Sequence, residues 1–161
     1  MICSHCDRPT VDFAVPEAYR ECVPDTATAT MASICTHCLT VRSIEASGAG
    51  SESEAESEAG SEFELEQTSD DSPSTDNDPN FTRVSTGFPP GGAAIPFALL
   101  LGNCSSLATN RPAIETLLED LERKGTDPLL AIDRLVAEPP DDLEPAIDLE
   151  RRRHQLEGLF Y

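Results

Sequence analysis

Four cysteines near the start of the chain have the spacing of metal ligands. They form two C-x-x-C pairs, Cys3 with Cys6 and Cys35 with Cys38, and 28 residues separate the pairs. A C-x-x-C turn directs both sulfur atoms to one side, so two facing turns can supply four thiolates in a tetrahedron. Zn²⁺ takes this arrangement at closed structural sites, with Zn–S distances of about 2.3 Å. The spacing therefore predicts a structural zinc site of the zinc-ribbon type.

Other chemistry at these cysteines is disfavoured by the same pattern. A redox C-x-x-C normally lies in a βαβ setting, which the neighbouring sequence lacks, and here the motif occurs twice. A catalytic zinc keeps an open coordination position, whereas four thiolates fill the shell. His5 and His37 lie inside the two pairs and can in principle replace a cysteine ligand. We expect them instead to be partly exposed residues at the tips of the turns.

Several residues near the pairs have two interpretations. Four thiolates and one Zn²⁺ leave a net negative charge, which Arg8 and Arg42 can balance from just beyond the ligands. An ordinary surface position explains these two arginines equally well. Cys22 and Cys104 lie outside the pairs, and we expect them to be small buried apolar residues rather than reactive thiols.

The elements that must position the cysteines are expected within residues 1–44. Alternation of apolar and polar residues predicts a strand at residues 11–15, and residues 17–23 predict one or two helical turns after a proline. Residues 28–34 lead into the second pair, and residues 39–44 continue as a strand. Each pair therefore lies at the tip of a hairpin. So short a segment buries little core, which means that the metal must contribute folding energy.

Residues 45–80 predict a disordered acidic linker. Residues 43–82 contain 12 acids and no base, and they hold too few apolar residues to offset the entropy of ordering. A solvated spacer is the simplest interpretation. An acidic interaction tail or a nucleic-acid mimic is the alternative, for which Phe63 and Leu65 are the only hint.

Residues 81–161 predict an antiparallel bundle of four helices. After a turn at residues 89–92, apolar residues recur at helical spacing from 97 to 108, and three further apolar stripes follow. Short connections between such helices favour an antiparallel arrangement. The residues that we expect to begin or end the later helices are Asn110, Gly125, Asp127 and either Asp141 or Asp142.

The only basic cluster is Arg151-Arg152-Arg153-His154. Its simplest interpretation is that basic residues late in the fourth helix suit the helix dipole and pair with Asp148 and Glu150. A strip that contacts phosphates is the alternative. We expect nucleic-acid binding not to be the main task, because binders normally present a basic face and this chain has a formal net charge of -19.

The amino-acid composition also indicates the environment in which the protein works. The chain has 30 acids and 11 bases, only one of which, Lys124, is lysine, and this balance suggests a high-salt cytoplasm. We recognise no secretory signal, and the longest apolar run, residues 93–101, is too short to span a membrane. We therefore expect a soluble protein in a reducing cytoplasm, where metal is favoured over disulfides. No catalytic triad or phosphate-binding glycine loop is recognisable, so we do not expect an enzyme.

Motifs in the first and last segments, outside the linker, resemble a family of small uncharacterised proteins from halophilic archaea, a domain-of-unknown-function group. The two pairs also resemble small haloarchaeal zinc-finger proteins, although those often carry C-P-x-C-G. This chain has Cys-Ser-His-Cys-Asp and Cys-Thr-His-Cys-Leu. The resemblance implies no known activity. The resembling residues are both cysteine pairs, with Leu39 after the second, and segments within residues 13–21, 127–135 and 148–153.

The sequence as a whole predicts an α+β protein. It comprises a zinc-ribbon head at residues 1–44, a disordered acidic linker at residues 45–80 and an antiparallel helical bundle at residues 81–161. As a function we expect a zinc-binding adaptor or regulator that interacts with a protein partner. A transcription-type zinc ribbon associated with nucleic acid is the alternative.

Overall fold

The computed structural model describes residues 1–26, 28–44 and 79–161. These residues form a mixed α+β protein, with a three-stranded antiparallel sheet first and helices after it, as the α+β prediction requires. The predicted disordered linker lies outside the described residues, except for Pro79 and Asn80. The Asn80 side chain accepts a hydrogen bond from the Thr82 amide (3.1 Å) and begins a 3₁₀ turn. Within the described ranges no helix is long and apolar enough to cross a membrane.

The sheet has the strand order β1-β2-β3, with β2 in the centre and both neighbours antiparallel to it. Ile34 of β2 lies opposite Val11 on one side and Val41 on the other, and all three are buried. The strands agree with the predicted ones to within a few residues. They are β1 (Thr10–Ala14), β2 (Met31–Cys35) and β3 (Val41–Ile44), with a 3₁₀ helix at Glu17–Cys22 between β1 and β2.

Four α-helices follow, and most of their ends obey the predicted capping rules. Gly125 has a φ of 76° just beyond the second helix, where the Thr126 amide donates to the Leu121 carbonyl (2.9 Å). The Asp127 side chain accepts from the Leu130 amide (3.1 Å) and begins the third helix. The helices are α1 (Ala94–Asn103), α2 (Arg111–Arg123), α3 (Pro128–Ala137) and α4 (Leu149–Phe160).

Two predicted helix limits are wrong. The first helix ends at Asn103 and does not continue to residue 108. Asn110 is the N-cap residue of α2, as predicted, but its side chain donates to the Asn103 carbonyl (3.1 Å) and makes no capping hydrogen bond. The fourth helix does not begin at Asp141 or Asp142. It begins after Asp148, whose side chain accepts from the Arg151 amide (3.0 Å). In the segment before Asp148, the Glu144 and Ala146 amides donate hydrogen bonds to the His37 and Cys38 carbonyls of the second cysteine pair.

The first and last segments, which we predicted as a head at residues 1–44 and a bundle at residues 81–161, share one hydrophobic core. A row of aromatic rings crosses from the sheet to α1: Phe13 to Phe81 (5.4 Å between centroids), Phe81 to Phe88 (5.0 Å) and Phe88 to Phe97 (5.0 Å). The physical reason is size, because a sheet of three short strands cannot cover its own apolar face. The face of the sheet is therefore completed by residues that lie more than 35 positions later in the chain.

Helix α1 approaches the sheet closely at Gly102. A Cβ atom at this position would lie 2.7 Å from Val41 Cβ and 2.9 Å from Pro24 Cγ, which is closer than real Cβ atoms approach. Only glycine allows this contact between α1 and β3. The helices therefore do not pack only among themselves, since α1 also fixes the strand that follows the second cysteine pair.

Candidate metal centre

The structure brings the four cysteine sulfurs together. All four Sγ atoms lie within 4.8 Å of one another, with 3.7 Å between Cys3 and Cys38 and 3.4 Å between Cys6 and Cys35. For Zn–S bonds of about 2.3 Å, tetrahedral geometry separates two sulfurs by about 3.8 Å. Cys6 is half-buried and the other three are buried. The donor set and its spacing therefore fit a metal ion held by four thiolates.

We call residues 3–6 the first cysteine turn and residues 35–38 the second cysteine turn. Each is closed by its own hairpin: the Cys3 amide donates to the Arg8 carbonyl (2.8 Å), and the Cys35 amide donates to the Thr40 carbonyl (3.0 Å). In each turn the histidine amide also donates to the first sulfur, at 3.4 Å. Amide donors directed at sulfur favour the thiolate form that a metal requires.

Both turns end in a residue with left-handed backbone conformation. Asp7 and Leu39, which follow Cys6 and Cys38, each have a φ of 58°. This is the position of the glycine in C-P-x-C-G. A left-handed conformation costs a non-glycine residue roughly 1–2 kcal/mol. Aspartate adopts it more readily than leucine does, so Leu39, which is 3 % exposed, must recover this cost through burial.

The thiols of the cluster differ in how readily they ionise. Burial by itself raises the pKa of Cys3, but hydrogen bonds from the His5 and Cys6 backbone and from neighbouring sulfurs outweigh it and lower the pKa to about 7. At Cys35 burial dominates and raises the pKa to about 12, and burial also raises the pKa of Cys38. Four thiolates are therefore not favoured together at neutral pH unless a cation compensates their charge.

The two histidines occupy the same position in their turns but have different surroundings. His5 is exposed, whereas His37 contacts the segment between α3 and α4. His37 Nδ1 contacts the backbone carbonyl oxygen of Asp142, and Nε2 lies 3.3 Å from a carboxylate oxygen of Glu144. His37 is thus engaged away from the sulfur cluster.

Backbone hydrogen bonds reinforce this contact. The Glu144 amide donates to the His37 carbonyl and the Ala146 amide donates to the Cys38 carbonyl, both at 2.9 Å. We call residues 142–146 the strap. The sequence did not predict the contact of the strap with the second cysteine turn. More than 100 positions separate the two segments, and neither contains a motif that indicates contact with the other.

Further hydrogen bonds join the two turns to each other, and the two arginines near the turns are exposed to solvent. The amide and hydroxyl of Thr36 both donate to the Pro9 carbonyl (3.1 and 2.8 Å), which ties the second turn to the first hairpin. Arg8 and Arg42 are exposed, as ordinary surface arginines would be. Arg42 lines a cleft of about 290 Å³ beside Cys38, whose other side is formed by α1 and by Ala146 of the strap.

The two cysteines outside the pairs are buried, as predicted. Cys22 is 4 % exposed and Cys104 is 1 % exposed. Burial raises the pKa of Cys104 to about 12 and also raises that of Cys22, so neither thiol ionises readily at neutral pH.

The basic cluster lies in the first turns of α4, so the prediction that it suits the helix dipole late in a helix is wrong. Asp148 caps the helix, and Arg152 donates to Gln155 (2.9 Å) and to the Ser105 carbonyl (3.3 Å). Arg153 pairs with Asp133 of α3 (2.9 Å) and with Glu157 (2.7 Å). Arg151 alone of the three arginines is exposed, because the other two hold α4 in place.

Comparison with known proteins gives one result. A family model with the description "Family of unknown function (DUF6276)" matches residues 2–160, a range that contains both cysteine turns, the strap and all four described helices. No curated protein and no solved structure matches the chain.

Proposed function

The chain belongs to the DUF6276 family, whose function is unknown, and we propose that it is a zinc-binding adaptor or regulator that acts through protein interactions. The cluster of four cysteine sulfurs is the observation that carries this proposal. Cys3, Cys6, Cys35 and Cys38 would hold the ion, which would neutralise the thiolates and link the two hairpins. Two hairpins that share one zinc ion in this way would form a zinc ribbon.

A structural role is favoured over catalysis. Four thiolates fill the coordination shell of Zn²⁺ and leave no position for a substrate or a reactive water. Four cysteines at metal-ligand spacing suit a reducing compartment, so we propose that the protein works in the cytoplasm. The excess of acids supports the high-salt setting of a halophilic archaeon, as the family resemblance implies. We therefore propose a non-enzymatic protein.

A protein partner is favoured over nucleic acid. Arg152 and Arg153 are engaged by groups of the same chain, so little of the basic cluster remains for phosphate contacts. The formal net charge of -19 adds long-range repulsion toward a nucleic acid, although molar salt screens it. The observations thus support an interaction module more than a transcription-type zinc ribbon.

The metal assignment is tested by elemental analysis of protein purified without added metal. We expect one zinc per chain, and we expect Cys35→Ser to remove it. Cys22→Ser is the matched control, because Cys22 is an equally buried thiol outside the cluster and its replacement should leave the zinc in place. Zinc content near zero in the unmodified protein, or full zinc content in Cys35→Ser, would contradict the assignment.

The partner class is tested in molar potassium chloride. Labelled DNA and RNA are titrated with the unmodified protein and with Arg151→Glu, and we expect no binding at micromolar protein. Micromolar binding that Arg151→Glu abolishes would favour the nucleic-acid alternative. In parallel, affinity capture with the unmodified protein, Cys35→Ser and Cys22→Ser should recover a partner that only Cys35→Ser loses.

A further inference from the structure

Among the described residues, the hydrogen bonds and the ion pair of the strap join it to the second cysteine turn and not to the first. Four contacts join it to the second turn: two backbone hydrogen bonds of 2.9 Å, the contact of His37 Nδ1 with the Asp142 carbonyl, and the approach of His37 Nε2 to Glu144. His5 occupies the equivalent position of the first turn and is exposed. The asymmetry cannot come from the motif itself, because both turns read Cys-x-His-Cys.

We propose that the strap is a metal-responsive element, held on the second cysteine turn when the site is loaded and released when the metal leaves. This inference rests on the proposed zinc site and adds a regulatory role for residues 142–146. His37 acts as a positioning residue, through which the strap is coupled to the state of the metal site.

The coupling of the strap to the metal site follows from the atoms through which the strap contacts the second turn. Its two amides donate to the carbonyls of His37 and Cys38, and the direction of those carbonyls depends on the conformation of the second turn. A metal that fixes the Cys35 and Cys38 sulfurs also fixes that conformation. Without the ion, no coordinate bond holds the four sulfurs at ligand spacing, and we expect the two carbonyls to lose the directions that the strap requires.

Release would reach beyond the strap itself. Ala146 forms one wall of the cleft beside Cys38, and Asp148, two residues later, caps α4. Helix α4 is held separately by the pair between Arg153 and Asp133. We therefore expect the strap to leave locally, which uncovers the cleft and the outer face of the second turn while α3, α4 and the core stay packed.

Amide hydrogen exchange on the full chain tests this proposal. In the zinc-loaded protein the amides of Glu144 and Ala146 should be protected. Removal of zinc by a chelator should speed their exchange by at least about tenfold, the change produced by losing the net free energy of one hydrogen bond. The amides of residues 117–121 in the core of α2 should change much less. Equal loss of protection in the strap and in α2, or unchanged protection of the strap, would overturn the proposal.

Matched histidine variants separate the strap from metal ligation. His37→Ala should speed exchange at Glu144 and Ala146 by about tenfold while the zinc content stays at one per chain. His5→Ala should leave both unchanged. If the two variants behave alike, His37 does not position the strap and the proposal fails.

Reciprocity provides a second test. Ala146→Pro removes the amide that donates to the Cys38 carbonyl, and a strap coupled to the metal must then weaken zinc binding by the same factor by which zinc holds the strap. Zinc affinity equal to that of the unmodified protein would contradict the coupling. Zinc content in the unmodified protein distinguishes the two failures. A protein that contains no zinc contradicts the proposed function. A protein that binds zinc but whose strap amides exchange at the same rate with and without it contradicts this inference alone.

Discussion

The two cysteine turns have nearly the same sequence and backbone, but they are held by different parts of the molecule. The first turn is closed by its own short hairpin, with a single bridge between Ile2 and Pro9, and its histidine is exposed. The second turn joins two strands of the sheet, and its histidine contacts the strap. The same motif thus closes a short hairpin outside the sheet in one place and connects two strands of the sheet in the other.

Burial of the ligands differs between the turns at one position. Cys35 is fully buried and Cys38 is 3 % exposed in the second turn, and in the first turn Cys3 is 5 % exposed but Cys6 is half-buried. Leu39 after the second turn is buried, and Asp7 after the first is exposed. We infer that the sheet anchors the two ends of the second turn and that the metal fixes the conformation between them, whereas the first turn is held mainly by its own hairpin. Three pairs of substitutions, given in order of decreasing effect, test this difference.

The largest effect is expected from replacing a ligand in each turn by histidine, which can also bind zinc. Cys6→His should keep one zinc per chain with weaker affinity, because the half-buried position has room for an imidazole. Cys35→His should lose the metal and several kcal/mol of folding free energy, because overpacking adds to the loss of a ligand. Competition with a chelator and chemical denaturation measure both quantities. Equal retention of zinc by the two variants would remove the distinction between the turns.

Gly102→Ala should have the next largest effect, because it acts on the support of the second turn. The added methyl group would lie 2.7 Å from Val41 Cβ, and we expect a loss of about 1–3 kcal/mol in the free energy of unfolding. Zinc binding should weaken as β3 shifts. The control is Gly158→Ala in α4, where open space surrounds the new Cβ and higher helix propensity should stabilise the protein by about 0.5–1 kcal/mol. A Gly102→Ala variant as stable as its parent would show that β3 is not fixed by α1.

The smallest effect is expected at the left-handed residue after each turn. Leu39→Gly relieves strain but loses the burial of a leucine side chain, so we expect a net loss of about 1–2 kcal/mol. Asp7→Gly relieves similar strain at an exposed position and should leave stability unchanged to within about 1 kcal/mol. Thermal and denaturant unfolding of the zinc-loaded variants provide the comparison. Equal destabilisation by both substitutions would mean that the two turns are supported alike.

Local rules predicted much of the fold. The alternation at residues 11–15 matches β1, and Asp127 and Gly125 cap helices as expected, because each of these features depends on neighbours within a few residues. The predicted start of α4 was wrong because it depends on contacts with residues far away in the chain. Asp141, Asp142 and Asp148 are all suitable caps by local rules, and hydrogen bonds between the strap and the second turn decide among them.

The amino-acid sequence alone identified the four cysteines of the candidate site, because C-x-x-C spacing constrains sulfur positions within each turn whatever surrounds it. It also determined the excess of negative charge and the approximate positions of the strands and helices. The contacts that the sequence did not reveal are the core shared by the helices and the sheet, the approach of α1 to β3 at a glycine, and the position of the strap on the second turn. These contacts join residues far apart in the chain, and shape and apolar area select them rather than any local pattern.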